Sequence, residues 1–163
     1  AREGSSIGMR KVETAQDLEP AYAFAAQYDS EIIAEKWVTG KEYTIVILGD
    51  KALPVIRLQP HQSHGFYDFD AKYNANDTQY LCPCGLDADD EQRLQALALK
   101  AFEMVGAKGW GRIDAMQDQD GNFWLLEVNT VPGMTDHSLV PMAARAAGLS
   151  FQQLALTILS QTL

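Results

Sequence analysis

A chain of 163 residues, 47% hydrophobic and 21% charged, can fill one core or two small lobes and is not a disordered chain. Its formal net charge of −9 argues against a nucleic-acid or anionic-membrane partner, since both require a basic surface, but permits a locally positive nucleotide site. No apolar run approaches the roughly 20 residues of a membrane span, and the opening Ala1-Arg2-Glu3-Gly4 lacks the basic start and apolar stretch of a signal peptide.

The elements follow in chain order. Glu3-Gly4-Ser5-Ser6-Ile7-Gly8 is small and polar and reads as a flexible loop. Thr14 is placed to cap a helix running to about Tyr28, with Leu18, Ala21, Tyr22 and Ala25 on one face. Ile32, Ile33 and Trp37 predict a strand over Glu31 to Val38. Tyr43 to Leu48 and Leu53 to Leu58 are near-continuous apolar runs, and Gly49-Asp50-Lys51 between them predicts a hairpin turn. His61 to Asn76 is polar, aromatic and irregular. His61 and His64 flank a Gly-bearing loop and receive no chemistry, and Cys82-Pro83-Cys84 reads as two reduced thiols with no further soft ligand at a metal spacing. Asp87 to Val105 predicts the longest helix: its first turn is acidic, and Leu94, Leu97, Ala98, Ala101, Phe102 and Val105 form a stripe. Gly111–Gln117 and Asn122–Asn129 are predicted strands around the turn Asp118-Gln119-Asp120-Gly121. Ser150 with Gln153 resembles a capping box for a last helix to about Thr162. The order implies α+β layers around a mostly antiparallel sheet flanked by helices.

The hairpin of residues 111 to 129 carries the chemistry. Side chains alternate faces along a strand. Ile113 and Ala115 with Trp124, Leu126 and Val128 are expected on the buried side. Arg112 and Asp114 with Glu127 and Asn129 are then gathered on the other. Pairing Gln117 with Asn122 would set Arg112 opposite Glu127, with Asp114 on the diagonal, neighbours roughly 5–8 Å apart. Two carboxylates and an amide oxygen suit Mg²⁺, which takes oxygen ligands and shares them with phosphates. The competing reading is a solvated face with an Arg112–Glu127 ion pair. Asn129-Thr130-Val131-Pro132-Gly133-Met134 leaves the strand as a Pro-Gly loop whose backbone N–H groups can approach a ligand.

Gly109-Trp110-Gly111-Arg112-Ile113-Asp114, followed by Leu125-Leu126-Glu127-Val128-Asn129-Thr130-Val131-Pro132-Gly133, resembles the C-terminal signature of D-alanine–D-alanine ligases, and the likeness extends over essentially the whole chain. Ala115 is smaller than the aliphatic residue usual there. The resemblance implies an ATP-grasp fold with nucleotide between two α+β lobes. Residues 1–40 would be the C-terminal portion of the central lobe with its phosphate lid, and 41–163 the C-terminal lobe. The family's N-terminal domain would be missing, along with its His-Gly motif and glutamate, so this part alone is expected to be inactive. The implied reaction is ATP-dependent joining of two D-alanines through a D-alanyl phosphate for peptidoglycan, in a cytoplasmic enzyme that is a homodimer at full length.

The resemblance also assigns residues. Asp114, Glu127 and Asn129 look like ligands for two Mg²⁺ ions, with Mn²⁺ as a substitute. Arg112 and the Gly133 N–H look like donors to the acyl-phosphate and tetrahedral intermediates. Ser138 and Leu139, in His137-Ser138-Leu139-Val140-Pro141, resemble the site for the second D-alanine's carboxylate, although a plain helix N-cap would also place a serine there. Glu35, Lys36 and Val38 resemble the adenine strand; without the resemblance Glu35 and Lys36 read as surface charges. Glu42 resembles the ribose acceptor and Lys72 a phosphate ligand. Ser5 and Tyr73 resemble partners in a triad that closes the lid, and Tyr at 73 fits dipeptide-forming rather than lactate-using members. Three alternatives stay open: a D-alanine–D-lactate ligase, another ATP-grasp carboxylate–amine ligase, and a non-catalytic nucleotide-binding module.

Overall fold

The computed structural model describes residues 4, 6–59 and 78–161. The expectations for Ser5, Lys72, Tyr73, His61 and His64 fall outside these residues. The chain divides into two compact units, one containing the segment up to Trp37 and the other made of Val38–Gln59 and Tyr80–Leu163.

In the first unit, Ser6-Ile7-Gly8 forms a turn, closed by the Ile7 N–H donating to the Gly4 carbonyl at 3.1 Å. Thr14 begins a 3₁₀ turn, Ala15–Asp17, that runs into helix α1, Leu18–Ala25. The Asp17 carboxylate accepts from both the Thr14 N–H (2.9 Å) and its hydroxyl (2.7 Å), and the hydroxyl bond is the main cause holding its carboxyl below the ordinary range. The helix is shorter than its periodicity predicts, and its Leu18–Tyr22 face is exposed. Phe24 and Tyr28 make the apolar contacts instead: their rings meet edge-on at 5.4 Å, with the Arg10 guanidinium 4.0 Å over Phe24. The strand expected over Glu31 to Val38 does not form among the described residues. Extended segments become strands only through a ladder, and apolar content does not supply one.

The second unit is built on a six-stranded sheet: β1 (Gly40–Leu48), β2 (Lys51–Ala52), β3 (Ile56–Gln59), β4 (Gln79–Leu81), β5 (Trp110–Asp118) and β6 (Phe123–Asn129). The order is β4-β3-β1-β5-β6, with β2 folded back on β1. The β1–β2 turn is the two residues Gly49-Asp50, and Gly49 supplies the positive φ (66°) that such a turn needs at its first position. β1 lies centrally, antiparallel to both β3 and β5.

Both faces of β1 are covered, which is why Tyr43 to Leu48 reads as an apolar run interrupted only by Thr44 rather than an alternation. Tyr43, Ile45 and Ile47 pack with Ile113 and Ala115 of β5 against Leu94, Ala98 and Phe102 of helix α2 (Ala88–Met104). Val46 and Leu48 pack with Ile56 against Val140, Ala143 and Ala144 of α3 (Leu139–Ala146) and Leu154 of α4 (Phe151–Ser160). Asp87 caps α2 by accepting from the Asp90 N–H at 2.8 Å. The capping box at Ser150 is present, with reciprocal Ser150–Gln153 bonds of 2.8 and 3.2 Å. Val105, expected on the buried stripe, is exposed just past the end of α2. Cys82 and Cys84 are free, and burial raises both thiols above their ordinary range.

At Gly111, both Phe102 of α2 and the β6 backbone crowd β5. A Cβ there would stand 2.6 Å from the Phe102 ring and 2.9 Å from the Asn129 carbonyl oxygen. Gly111→Ala is expected to destabilise the fold by about 1–3 kcal/mol, the ordinary cost of overpacking. It should appear as a lower urea midpoint at constant slope. An unchanged midpoint would show that Phe102 and β6 yield without cost.

Candidate active site

The β5–β6 hairpin does not have the expected register. Arg112 stands opposite Asn129, and Asp114 directly opposite Glu127. Beyond Asp114 the pairing shifts by one, so that Ala115 faces Leu125, Met116 faces Trp124 and Gln117 faces Phe123. Two features account for the difference: the turn is longer than assumed, and a bulge leaves Leu126 unpaired. The extra residue also reverses the side-chain parity of the outer part of β6. Trp124 therefore lies on the polar face, its indole donating to Asp118 at 2.8 Å, and Leu126 is 49% exposed. Neither is buried as the alternation predicts. Val128, opposite Ile113, does pack on the core. The indole bond is the first cause holding the Asp118 carboxyl below its ordinary range, helped by N–H groups of Asn122 and Asp120.

Arg112, Asp114, Glu127 and Asn129 are together on one face. The Arg112 guanidinium forks onto Asp114, Nε to Oδ1 at 2.9 Å and Nη2 to Oδ2 at 2.7 Å. Both side chains of that pair are mostly buried, whereas Glu127 is half exposed with an oxygen 3.9 Å from Arg112 Nη2. The Asn129 amide donates to Asp114 Oδ2 and to Glu127 Oε1, each at 3.2 Å. The ion pair expected between Arg112 and Glu127 is therefore chiefly one between Arg112 and Asp114, two residues apart on the same strand.

On the same sheet face, β1 contributes Thr44 beside Asp114 and, two residues earlier, Glu42 beside Met116. Thr44 is fully buried, and its hydroxyl donates a hydrogen bond to Asp114 Oδ1. Sequence reasoning passed over this residue. The available signal was a lone aliphatic hydroxyl inside the apolar run from Tyr43 to Leu48.

After β6 the chain enters the loop to α3. Ser138 occupies the N-cap position of α3 (φ −73°, ψ 153°) but makes no side-chain cap bond. Its Oγ instead accepts from the Thr135 N–H at 3.0 Å and lies 2.9 Å from the Thr135 hydroxyl. The Ser138 N–H closes the turn on the Thr135 carbonyl at 2.9 Å, and Arg145 reaches back from α3 to the Asp136 carbonyl at 3.0 Å. Gly133 is exposed and lies against Ser138, since a Cβ on it would come 3.0 Å from Oγ. Leu139 opens α3 and packs at the edge of the core. Thr135 is thus a second hydroxyl missed in the sequence, three residues ahead of Ser138. Glu35 and Lys36 are exposed residues of the first unit, and Val38 is a half-buried residue of the second.

The donors fit a hard divalent cation: two carboxylates directly across a strand pair and an amide whose oxygen is brought inward by a half-turn of its terminal torsion. Among the described residues no group of three or more His, Cys, Asp or Glu side chains is placed to hold a metal. A two-carboxylate set is the arrangement that leaves coordination positions for phosphate oxygens and water.

Residues 1–160 match the family described as D-ala D-ala ligase C-terminus. The chain belongs to that family. It is 65% identical over 161 residues to the D-alanine–D-alanine ligase of Psychrobacter sp. (strain PRwf-1), covering 99% of this chain and 48% of that one. The same enzyme of Acinetobacter baylyi is 63% identical, with 99% and 52% covered. Among solved structures, the VanG D-Ala:D-Ser ligase of Enterococcus faecalis superposes with a TM-score of 0.85 at 31% identity, covering 98% of this chain and 47% of that one. The Bacillus anthracis D-alanine–D-alanine ligase complexed with ATP gives 0.79 at 29%, with 92% and 47% covered. The chain therefore spans about half the length of the relatives it matches. The α+β, ATP-grasp class that the resemblance implied is borne out. No helix among the described residues is long and apolar enough to cross a membrane.

Proposed function

We propose that the chain is the catalytic half of a cytoplasmic, ATP-dependent ligase that makes D-alanyl-D-alanine for the cell wall. The observation that carries this reading is the single polar face on which Arg112, Asp114, Glu127 and Asn129 are hydrogen-bonded together, in a chain whose relatives are named D-alanine–D-alanine ligases.

The chemistry has two steps. The γ-phosphoryl group of ATP passes to the carboxylate of one D-alanine, giving D-alanyl phosphate and ADP. The amine of the second D-alanine then attacks that carbonyl, loses a proton and expels phosphate as the peptide bond forms. Asp114, Glu127 and Asn129 would hold Mg²⁺, in the finer reading two ions with Mn²⁺ as a substitute, and the metal neutralises phosphate charge when bound. Arg112, held by its fork to Asp114, brings its positive guanidinium to the negative charge that develops on the acyl oxygens. The Gly133 N–H is the second donor. Ser138 and the Leu139 N–H, at the start of α3, receive the second substrate's carboxylate. Glu42 takes the ribose hydroxyls, and Glu35, Lys36 and Val38 the adenine. Ser5, Lys72 and Tyr73 close over the phosphates, and the whole enzyme works as a dimer.

The test uses the full-length protein supplied with ATP, Mg²⁺ and D-alanine in competition with D-lactate and D-serine. The expected product is D-alanyl-D-alanine with one ADP per bond. Predominant ester or D-alanyl-D-serine would move the assignment to a sister ligase, and no ADP release with any acceptor would favour a binding module. Tyr73→Phe is expected to raise the share of D-alanyl-D-lactate, since the altered site has one hydroxyl fewer to discriminate against an alcohol nucleophile. An unchanged product ratio would remove Tyr73 from acceptor choice.

A further inference from the structure

We infer that Thr44 is a positioning residue for the cation site, its buried hydroxyl fixing the inner oxygen of Asp114 so that the outer oxygen faces Glu127 and Asn129. The inference rests on the reading of Asp114 as a metal ligand and goes beyond it to a residue on a different strand. Asp114 accepts four hydrogen bonds: Oδ1 from Thr44 and Arg112 Nε, Oδ2 from Arg112 Nη2 and Asn129 Nδ2. A cation reaching this carboxylate must displace one donor. The Asn129 bond is the one to yield: at 3.2 Å it is longer than either Arg112 bond, and the same amide nitrogen is shared with Glu127 at 3.2 Å. Thr44 sits on the closed side. It pairs directly with Asp114 across β1–β5 and with Ile56 across β1–β3, and it has no exposed surface.

Two properties suit threonine to this task. Its β-branch restricts χ1, so the hydroxyl direction is set by the strand itself. Its burial makes an unbonded hydroxyl costly, so the bond to Asp114 persists. The Ile113 carbonyl, 3.4 Å away, is a poorer acceptor than the carboxylate for the same proton. With Oδ1 held from the β1 side, rotation of the carboxylate is blocked. Without that hydroxyl only the Arg112 fork orients Asp114, and the carboxylate can tilt together with the guanidinium and present a worse ligand.

The experiment titrates Mn²⁺ alone into the full-length enzyme and follows the free-ion electron paramagnetic resonance signal in wild type, Thr44→Val, Thr44→Ser and Asp114→Asn. Thr44→Val is expected to weaken Mn²⁺ binding about tenfold, the usual effect of removing a group that orients a metal ligand. Thr44→Ser should stay within about threefold of wild type on the same grounds. The Mg²⁺ concentration for half-maximal turnover should shift in parallel, which a merely structural defect would not produce. Wild-type affinity in Thr44→Val alongside weakened binding in Asp114→Asn overturns the inference while sparing the metal reading, and so does equal weakening in the valine and serine variants. Unchanged binding in Asp114→Asn removes the metal reading itself, and the inference with it. If the valine variant shows no cooperative unfolding, Thr44→Cys, with a weak thiol donor of similar size, carries the same comparison.

Discussion

Glu127→Gln is expected to abolish most ligase turnover in the full-length enzyme while leaving the fold intact. Glu127 is half exposed and stands directly across from Asp114 on the adjacent strand. Two like charges in that position repel one another. The neutral amide keeps the shape and removes the repulsion, so stability should change by no more than about 0.5 kcal/mol, and in the favourable direction. The same repulsion is what gives a divalent cation its hold. Halving the local negative charge should raise the Mg²⁺ requirement about tenfold or more and lower kcat by about 100- to 1000-fold, the range for losing a preorganised electrostatic group. Thermal melts and rate measurements over a Mg²⁺ series check the two halves separately. Wild-type turnover at limiting Mg²⁺ would end the metal assignment, and a large loss of stability would mean that Glu127 is structural.

Arg112→Met should behave differently, because the proposed oxyanion donor is also the ion-pair partner of Asp114. Its fork donates two of the four hydrogen bonds that Asp114 accepts, and both side chains are mostly buried. Its removal leaves a poorly solvated carboxylate facing Glu127 without its cation. The expected loss is about 2–3 kcal/mol, the penalty for an uncompensated partly buried charge rather than the net worth of the pair. Adding Asp114→Asn to Arg112→Met removes the stranded charge and should restore part of the stability. It should restore none of the activity, which falls by about 100- to 1000-fold when the oxyanion donor is lost. Arg112→Lys should not rescue turnover, since an ammonium cannot make the fork. Urea midpoints for the double-mutant cycle decide the matter. If Arg112→Met melts with wild type, or the double variant is no more stable than the single, the Arg112–Asp114 fork contributes nothing to stability.

Much of this was legible from local signals. The capping box at Ser150 and Gln153 stands where the sequence places it, because a cap is decided within four residues. The doubly covered strand β1 was visible as a near-continuous apolar run. The four polar side chains of the hairpin were found on one face, although the register used to argue it was off by two. That reasoning succeeded where parity counts from Asp114 inward and failed beyond it, because a bulge leaves no mark in an apolar pattern such as Trp124-Leu125-Leu126. The segment around Ile32 and Ile33 has strand composition but no ladder among the described residues, and pairing is a non-local property. Thr44 and Thr135 were missed for a related reason: a threonine shows its importance only through the carboxylate or serine it touches, one of them 70 residues away.

The bulge at Leu126 also acts as slack in the ladder. Had β6 one residue fewer there, Leu125 would still face Ala115 and the next residue, the present Glu127, would still face Asp114. The hairpin would run as a regular ladder with the same four polar side chains on the same side. Loss of Val128 instead would turn Asn129 toward α2 and dismantle the set. Tolerance to single-residue indels should therefore be sharply uneven along β6, permissive at the bulge and forbidding from Glu127 onward. Drift in the length of the outer hairpin can be absorbed at Leu126 before it reaches Glu127 and Asn129.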